Sequence, residues 1–400
     1  MNRRYVRDVA LEVLERVERK QSYSNIELNG VLRQTELSLK YVSLVTELVY
    51  GTLQRRNTLD WFLEPFIRKG LDRLDIWVRE LLLMSVYQIK YLQKIPPGAA
   101  VNEAVEIAKR RGRRGVSNFV NAVLRNVLRH AEDWRIDDVP HTVTRISLKY
   151  SHPKWLVERW LQQWDENVVC HICEKNNRPP LSAIRVNKLK MSRTQLKQQL
   201  VKDQQGAAVR FSEVSPLGLV VTKYGNMADT TLYREGVFSI QDESSMLVGD
   251  VLDPTPGASV LDMCAAPGGK TTHLAELLNG EGSVDAYDIH EHKVDLINKQ
   301  AKRLGLHNVK AEQMDARQLP QRITKVYDYV LLDAPCSGFG VIRRKPEIKW
   351  RKSLTDVGAL VQLQRQLLTA ASQLVKPGGV LVYSTCTLEQ RENEKQVSWF

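Results

Sequence analysis

Apolar residues recur every three or four positions through the first third of the chain. Val6, Val9, Ala10, Val13, Leu14 and Val17 form one such stripe, Leu44, Val45, Leu48, Val49 and Leu53 a second, and Leu81, Leu82, Met84, Val86 and Ile89 a third. That period places one apolar face on a helix and leaves the opposite face polar. Lys94-Ile95-Pro96-Pro97-Gly98 breaks the pattern, because proline and glycine interrupt helical hydrogen bonding. It resumes over Ala99–Lys109 and again over Asn118–Leu128, on either side of a basic turn, Lys109-Arg110-Arg111-Gly112-Arg113-Arg114. An all-helical domain is predicted over residues 1–135.

Residues 140–240 read differently. Ser151-His152-Pro153 before Lys154-Trp155-Leu156 has the form of a helix start, and Asn176-Asn177-Arg178-Pro179-Pro180 that of its end. Leu181 to Val186 is a short β-type run. A helix is predicted near 194–204, with strands near 208–212 and 218–222. This stretch is expected to be a small α+β connector.

From residue 241 strands and helices alternate. Ser259–Met263, Val284–Asp288, Val309–Gln313, Tyr327–Leu332 and Val380–Ser384 are apolar runs of strand length. Helical periodicity lies between them at Lys270–Leu278, Val294–Leu304 and Thr355–Val375. Such alternation predicts an α/β doubly wound, Rossmann-like domain over 241–400, with a parallel sheet covered on both faces. The chain is thus expected to be multidomain.

Charge sharpens that division. The net charge is +12, but residues 241–400 hold 19 basic against 20 acidic side chains, while the 240 residues before them hold 39 against 26. Excess positive charge confined to one part of a molecule suits a nucleic-acid partner, although a solubilising surface would look the same. No apolar run reaches membrane-spanning length, and Met1-Asn2-Arg3-Arg4-Tyr5 leads directly into a helix without the apolar core of a secretory signal. Five cysteines, at 170, 173, 264, 336 and 386, are too few to form a disulfide framework in 400 residues. A cytoplasmic monomer with no membrane and no metal partner is expected.

The chemistry gathers at predicted strand ends. Asp262-Met263-Cys264-Ala265-Ala266-Pro267-Gly268-Gly269-Lys270 links the first strand of the C-terminal sheet to a helix. In a doubly wound sheet that loop meets nucleotide-like ligands, and small side chains leave room for one. Gly268-Gly269-Lys270-Thr271 is not a phosphate-binding loop, because Cys264 stands where that motif needs glycine. Nor is the loop the dinucleotide fingerprint. Asp288, closing the second strand, is placed to accept from ribose hydroxyls, and Asp315, after the third, from an adenine amino group.

Two cysteines follow further strands: Asp333-Ala334-Pro335-Cys336-Ser337-Gly338 and Ser384-Thr385-Cys386-Thr387. A single free cysteine is ordinarily a small buried hydrophobe. Two at the active edge of one sheet point instead to thiol chemistry. Carbon 5 of cytosine is a poor nucleophile until a thiolate adds at carbon 6 and turns the ring into an enamine, which is covalent catalysis. A carboxyl such as Asp333 could then hold the cytosine amino edge or N3.

These segments, with Gln241-Asp242-Glu243-Ser244-Ser245, resemble the catalytic domain of the Nop/Sun family of RNA cytosine-5 methyltransferases. Over nearly its full length the chain is similar to the bacterial branch that acts on small-subunit ribosomal RNA, and its helical region resembles a NusB-like RNA-binding domain. The resemblance implies that S-adenosyl-L-methionine lies on the loop formed by Cys264, Ala265, Ala266, Pro267, Gly268, Gly269 and Lys270. It also implies that Asp288, Asp315 and Asp333 contact the cofactor, that Cys386 is the nucleophile, and that Cys336 assists product release. DNA cytosine methyltransferases use the Pro-Cys cysteine as nucleophile, so the second cysteine favours the RNA type. Family members usually continue beyond the point equivalent to Phe400 with a closing strand pair, and this hairpin is expected to be missing here. The implied partner is RNA, ribosomal RNA first. Methylation of transfer RNA, or RNA binding without catalysis on the same fold, are the alternatives.

Two further groups are ambiguous. Cys170-His171-Ile172-Cys173 has metal-like spacing without a second ligand pair, and reads as a packing pair within a helix. Arg343-Arg344-Lys345 fits an RNA phosphate clamp and a solvated loop equally.

Overall fold

The structure, a computed structural model, describes residues 3–35, 37–112, 114–204, 207–222 and 225–400. Met1, Asn2 and Arg113 of the basic turn lie outside the described residues. The chain forms two compact units, Met1–Pro179 with Val341–Lys352, and Pro180–Gly340 with Ser353–Phe400.

The first unit is helical among its described residues. The three apolar stripes become the helices Arg3–Lys20, Leu39–Leu63 and Ile76–Tyr91, and the later periodic segments become Pro97–Arg111 and Arg114–Arg129. Their apolar faces meet in one core that includes Val13, Leu14, Leu48, Leu59, Leu82, Ile107 and Leu124. Burying each such side chain contributes roughly 1.5–3 kcal/mol. The predicted break ends two residues early, because Pro97 itself opens a helix, where its missing N–H costs nothing. Residues 154–176 form two helices, Lys154–Leu161 and Glu166–Asn176, instead of the single one expected. Asp165 caps the second through the Val168 amide.

The segment Val341–Lys352 packs within this unit. The Glu347 carboxylate accepts from the Ser24 amide and hydroxyl, each at 2.9 Å, at the start of the Ser24–Leu32 helix. Lys349, fully buried, donates to the carbonyls of Gln54 and Ser151 at 2.9 and 2.5 Å. Burial holds its pKa well below the usual ammonium range.

The second unit carries two sheets. Strands β1 (Ser182–Val186), β2 (Ala208–Phe211), β3 (Gly218–Thr222) and β4 (Phe238–Ile240) form an antiparallel sheet in the order β2-β3-β1-β4. Strand β4 was not anticipated; three residues are too short to show a period. The Arg193–Asp203 helix covers this sheet with Leu196 and Leu200.

Strands β5 (Ser259–Asp262), β6 (Ser283–Asp288), β7 (Val309–Gln313), β8 (Tyr327–Asp333) and β9 (Val375–Ser384) form the second sheet, all parallel, in the order β7-β6-β5-β8-β9. Alternate residues point to opposite faces. Leu261, Val330 and Leu332 meet Leu367, Leu368 and Ala371 of the Leu354–Ser372 helix. Val260, Val284 and Leu331 meet Leu274 of the Gly269–Leu277 helix and Ala301 and Leu304 of the Glu291–Leu304 helix. The long helix stops at Ser372, short of the expected Val375. That residue pairs instead with Tyr327, and an irregularity in the β8–β9 register takes up the Pro377-Gly378-Gly379 run.

The sheet is the doubly wound one expected, and its order reverses at β5, between β6 and β8. Ligands in such sheets sit beyond the strand C-termini at this point. Among the described residues no helix is long and apolar enough to cross a membrane.

Candidate active site

Strand β5 ends in Asp262, and the chain then turns sharply through residues 263–268. The Met263 amide donates to Leu331 O at 3.0 Å and the Ala265 amide to Tyr287 O at 2.9 Å, which pins the loop to both neighbouring strands. Gly268 caps the following helix at φ +98°, and a Cβ there would lie 3.1 Å from the Ile297 Cα. Only glycine combines that backbone conformation with that approach. The Ala266–Pro267 peptide is cis.

Four carboxylates surround this loop. The Cys264 thiol is pushed well above its usual range by burial first, and then by the charges of Asp262, Asp288, Asp333 and Asp315. Cys264 is therefore kept protonated. The structure thus brings the predicted acidic residues together around the small-residue loop. Asp288 is almost buried, takes the His290 amide at 3.0 Å and has Lys293 at 3.9 Å. Asp315 binds Arg317 through both its amide and its guanidinium, and those bonds hold its carboxyl below the usual range.

Lys270 does not turn toward the loop backbone. Its ammonium lies 2.6 Å from one oxygen of Asp333, while the Ser384 hydroxyl donates to the other at 2.8 Å. Asp333 and Ser384 face one another across β8 and β9. That register sends the two cysteine segments off adjacent strand ends side by side, and the sulfurs of Cys336 and Cys386 lie 3.3 Å apart. The Cys386 amide also points at the Cys336 sulfur, at 3.4 Å. Cys386 is exposed and Cys336 partly so. The hydrogen bond to Cys386, with burial second, drives the Cys336 pKa far up, so Cys336 keeps its proton.

The structure adds residues that the sequence did not single out. Glu392, fully buried, accepts from the Ser337 amide and from Gln364 Nε2, both at 2.9 Å, and from the Ser337 hydroxyl. Arg185 of β1 is equally buried. It pairs with Glu276 at 2.9 Å, bonds Gln241, and donates to the Gly269 carbonyl at 2.9 Å, tying the small sheet to the start of the Gly269–Leu277 helix. Both residues are charged types that a hydropathy pattern assigns to the surface.

The ambiguous groups resolve differently. Cys173 is buried and Cys170 partly exposed on the Glu166–Asn176 helix, and no group of three or more potential ligands is gathered for a metal among the described residues. Arg343 donates to the carbonyls of Arg178 and Pro179, and the Lys345 ammonium sits 4.6 Å from the Tyr23 ring centre. These two cations are engaged by the protein itself.

Comparison with known proteins gives the same three-part organisation. Residues 250–400 match the family described as 16S rRNA methyltransferase RsmB/F, residues 4–129 the NusB family, and residues 152–228 the ferredoxin-like domain of RsmF/B-like methyltransferases. A probable ribosomal RNA small subunit methyltransferase B of Bacillus subtilis is 45% identical over 401 residues, covering 100% of this chain and 89% of the relative. The corresponding protein of Klebsiella pneumoniae is 34% identical over 413 residues, covering 100% and 90%. Among solved structures, the crystal structure of PH0851 superposes with a TM-score of 0.85 at 29% identity, covering 100% of this chain and 89% of the other. A methyltransferase homologue from Pyrococcus horikoshii gives 0.58 at 32% identity, over 65% of this chain and 81% of its own. The helical NusB-like region, the ferredoxin-like connector and the Rossmann-like sheet are parts of one known design, and the chain belongs to the RsmB/F family of 16S rRNA methyltransferases.

Proposed function

We propose that this protein transfers a methyl group from S-adenosyl-L-methionine to carbon 5 of a cytosine in small-subunit ribosomal RNA, through a covalent adduct between Cys386 and carbon 6. The observation that carries this reading is the 3.3 Å approach of the Cys336 and Cys386 sulfurs, on strand ends joined through Asp333 to the 263–270 loop. The relatives' names supply the RNA: they are ribosomal RNA small subunit methyltransferases.

The residues present fit the methyl donor. Its ammonium, ribose hydroxyls and adenine amino group are donors in need of acceptors. Asp288, Asp315 and Asp333 are acceptors around a loop whose Gly268 leaves no room for a side chain. Bound there, S-adenosyl-L-methionine supplies an electrophilic methyl that carbon 5 accepts once carbon 6 carries sulfur.

The chain's own residues do the rest. Cys386, the exposed sulfur, adds to carbon 6 of a base that has left its stack. Cys336, whose sulfur lies 3.3 Å from that of Cys386, is placed to assist as the C–S bond breaks and the product leaves. Asp333, steadied by Lys270 and Ser384, holds the cytosine edge. The carbon 5 proton passes to solvent water as the C–S bond breaks, Cys386 leaves as the thiolate, and the ring is restored.

Incubation with methyl-labelled S-adenosyl-L-methionine and undermethylated 16S rRNA, followed by bisulfite sequencing, tests the proposal. One protected cytosine is expected. Label in a base other than cytosine, or in transfer RNA alone, would overturn it.

A further inference from the structure

We infer that Glu392 is a positioning residue that sets the contact between the two thiols, an inference that rests on the covalent reading above. Cys336 and Cys386 stand on separate loops, and thiols on independent loops would not hold a 3.3 Å separation unaided. What joins the loops is a buried relay. The Ser337 amide and hydroxyl, one residue beyond Cys336, both donate to Glu392. The Ser337 oxygen lies 2.7 Å from the Thr387 hydroxyl, one residue beyond Cys386. Because the Ser337 proton points to Glu392, the Thr387 hydroxyl donates to Ser337 and in turn accepts from the Glu389 amide at 3.3 Å.

The frame around Glu392 is also fixed. Gln364, on the Leu354–Ser372 helix, donates at 2.9 Å both to Glu392 and to the Pro335 carbonyl, just before Cys336. The Tyr383 hydroxyl donates to the Glu392 carbonyl at 2.7 Å, and Asn393 Nδ2 reaches the Thr387 carbonyl at 3.0 Å. Ser337 beside Cys336, and Thr385 and Thr387 on either side of Cys386, are thus bonded to one short segment, 392–393, and Pro335 is joined to it through Gln364. No ion pair to Glu392 forms among the described residues, and its carboxylate takes Ser337 and Gln364. Loss of its side chain would leave Ser337 and Gln364 as buried donors without their partner, and the cheapest relief is for the loops to move apart.

A trivalent phenylarsenical reads the thiol separation without any methyl transfer. Two thiols and phenylarsine oxide give one As(SR)2 bridge and one water. In a Cys170→Ser background, bridging of Cys336 and Cys386 is followed by protection of both from alkylation, located by peptide mapping. Glu392→Ala is expected to slow bridging about tenfold or more, and kcat for RNA methylation by up to about 100-fold, with KM for RNA unchanged. Glu392→Gln, which keeps an acceptor for the Ser337 amide, is expected to restore most of the bridging. Should Glu392→Ala fail to fold, Ser337→Ala breaks the same relay with a smaller change and is expected to slow bridging too. Folded Glu392→Ala or Ser337→Ala protein that bridges at the wild-type rate would overturn the inference. Wild type that bridges while the variants do not, in protein that methylates no RNA, would support the positioning role and sink the proposed reaction instead.

Discussion

The sulfurs of Cys336 and Cys386 touch at 3.3 Å across 50 positions of sequence, the first partly buried and the second exposed. That asymmetry suits the two thiols to the different tasks proposed for them. Cys386, the more exposed of the two, is the proposed nucleophile. Replacing it with serine is expected to abolish adduct formation and to lower methyl transfer by roughly four orders of magnitude or more. Cys336→Ser should leave attack intact and hinder release, so that protein–RNA adduct accumulates as a retarded band on a denaturing gel. An adduct that survives Cys386→Ser would exchange the two roles.

Gly340 gives a second, purely steric, test. Its amide donates to the Cys386 carbonyl at 3.0 Å, and a Cβ would come within 2.9 Å of that oxygen and 3.3 Å of its carbon. The obstacle is backbone, which cannot swing aside as a side chain can. Gly340→Ala is expected to push the Cys386 loop and reduce kcat about ten- to 100-fold, with a stability cost of roughly 1–3 kcal/mol. Gly30→Ala, in open space within the Ser24–Leu32 helix, serves as control and should be neutral or stabilising. Steady-state kinetics beside thermal melts would separate the two effects.

What the chain reveals before folding depends on how local the signal is. Asp262, Asp288 and Asp333 could be placed because each closes an apolar run, and a carboxylate at a strand end is a local pattern. The two cysteines could be placed for the same reason, and sheet register then brought them together. Glu392 could not, since Glu389-Gln390-Arg391-Glu392-Asn393-Glu394 reads as solvent-facing in any hydropathy window. Its burial is decided by Ser337, Gln364 and Thr387, two of them more than 25 positions away. Lys349 and Arg343 were obscured in the same way. Their partners, Gln54, Ser151, Arg178 and Pro179, lie at least 164 positions off. The Ser24–Leu32 helix was missed because its start is capped by Glu347, 323 residues distant.

Arg185 and Glu276 make the second unit's most deeply buried charge contact, with both side chains fully shielded. Burial still lifts the Glu276 pKa above its usual range, because desolvation outweighs the attraction of Arg185. Such a pair adds little net stability, yet removing one partner strands the other. Arg185→Met is expected to cost about 3–5 kcal/mol, and the double variant with Glu276→Leu to recover much of that loss. Urea unfolding of wild type, both single variants and the double variant would measure the coupling. Independent, additive losses would mean that the contact ties nothing together.

Asp262 should leave a mark on the pH dependence of stability. It is fully buried; one carboxyl oxygen takes the Thr271 hydroxyl at 2.7 Å and the other has no hydrogen-bond partner. Burial first, and repulsion from Asp333 among the charges, push its pKa from an ordinary 3.8 up to about 7. Between those values the folded protein holds a proton that the unfolded chain has released. The associated stability is therefore complete below pH 3.8 and drains away as pH rises through about 7. Asp262→Asn mimics the protonated form, keeps an oxygen for Thr271 and cannot ionise. Relative to wild type, the asparagine variant should gain stability steadily from pH 4 to pH 7 and hold that advantage above it, other titrations being common to both proteins. Denaturant midpoints taken across this range would show it. A difference that stays level with pH would mean that Asp262 ionises freely in the fold, and that the floor beneath the 263–268 loop is wetter than its burial indicates.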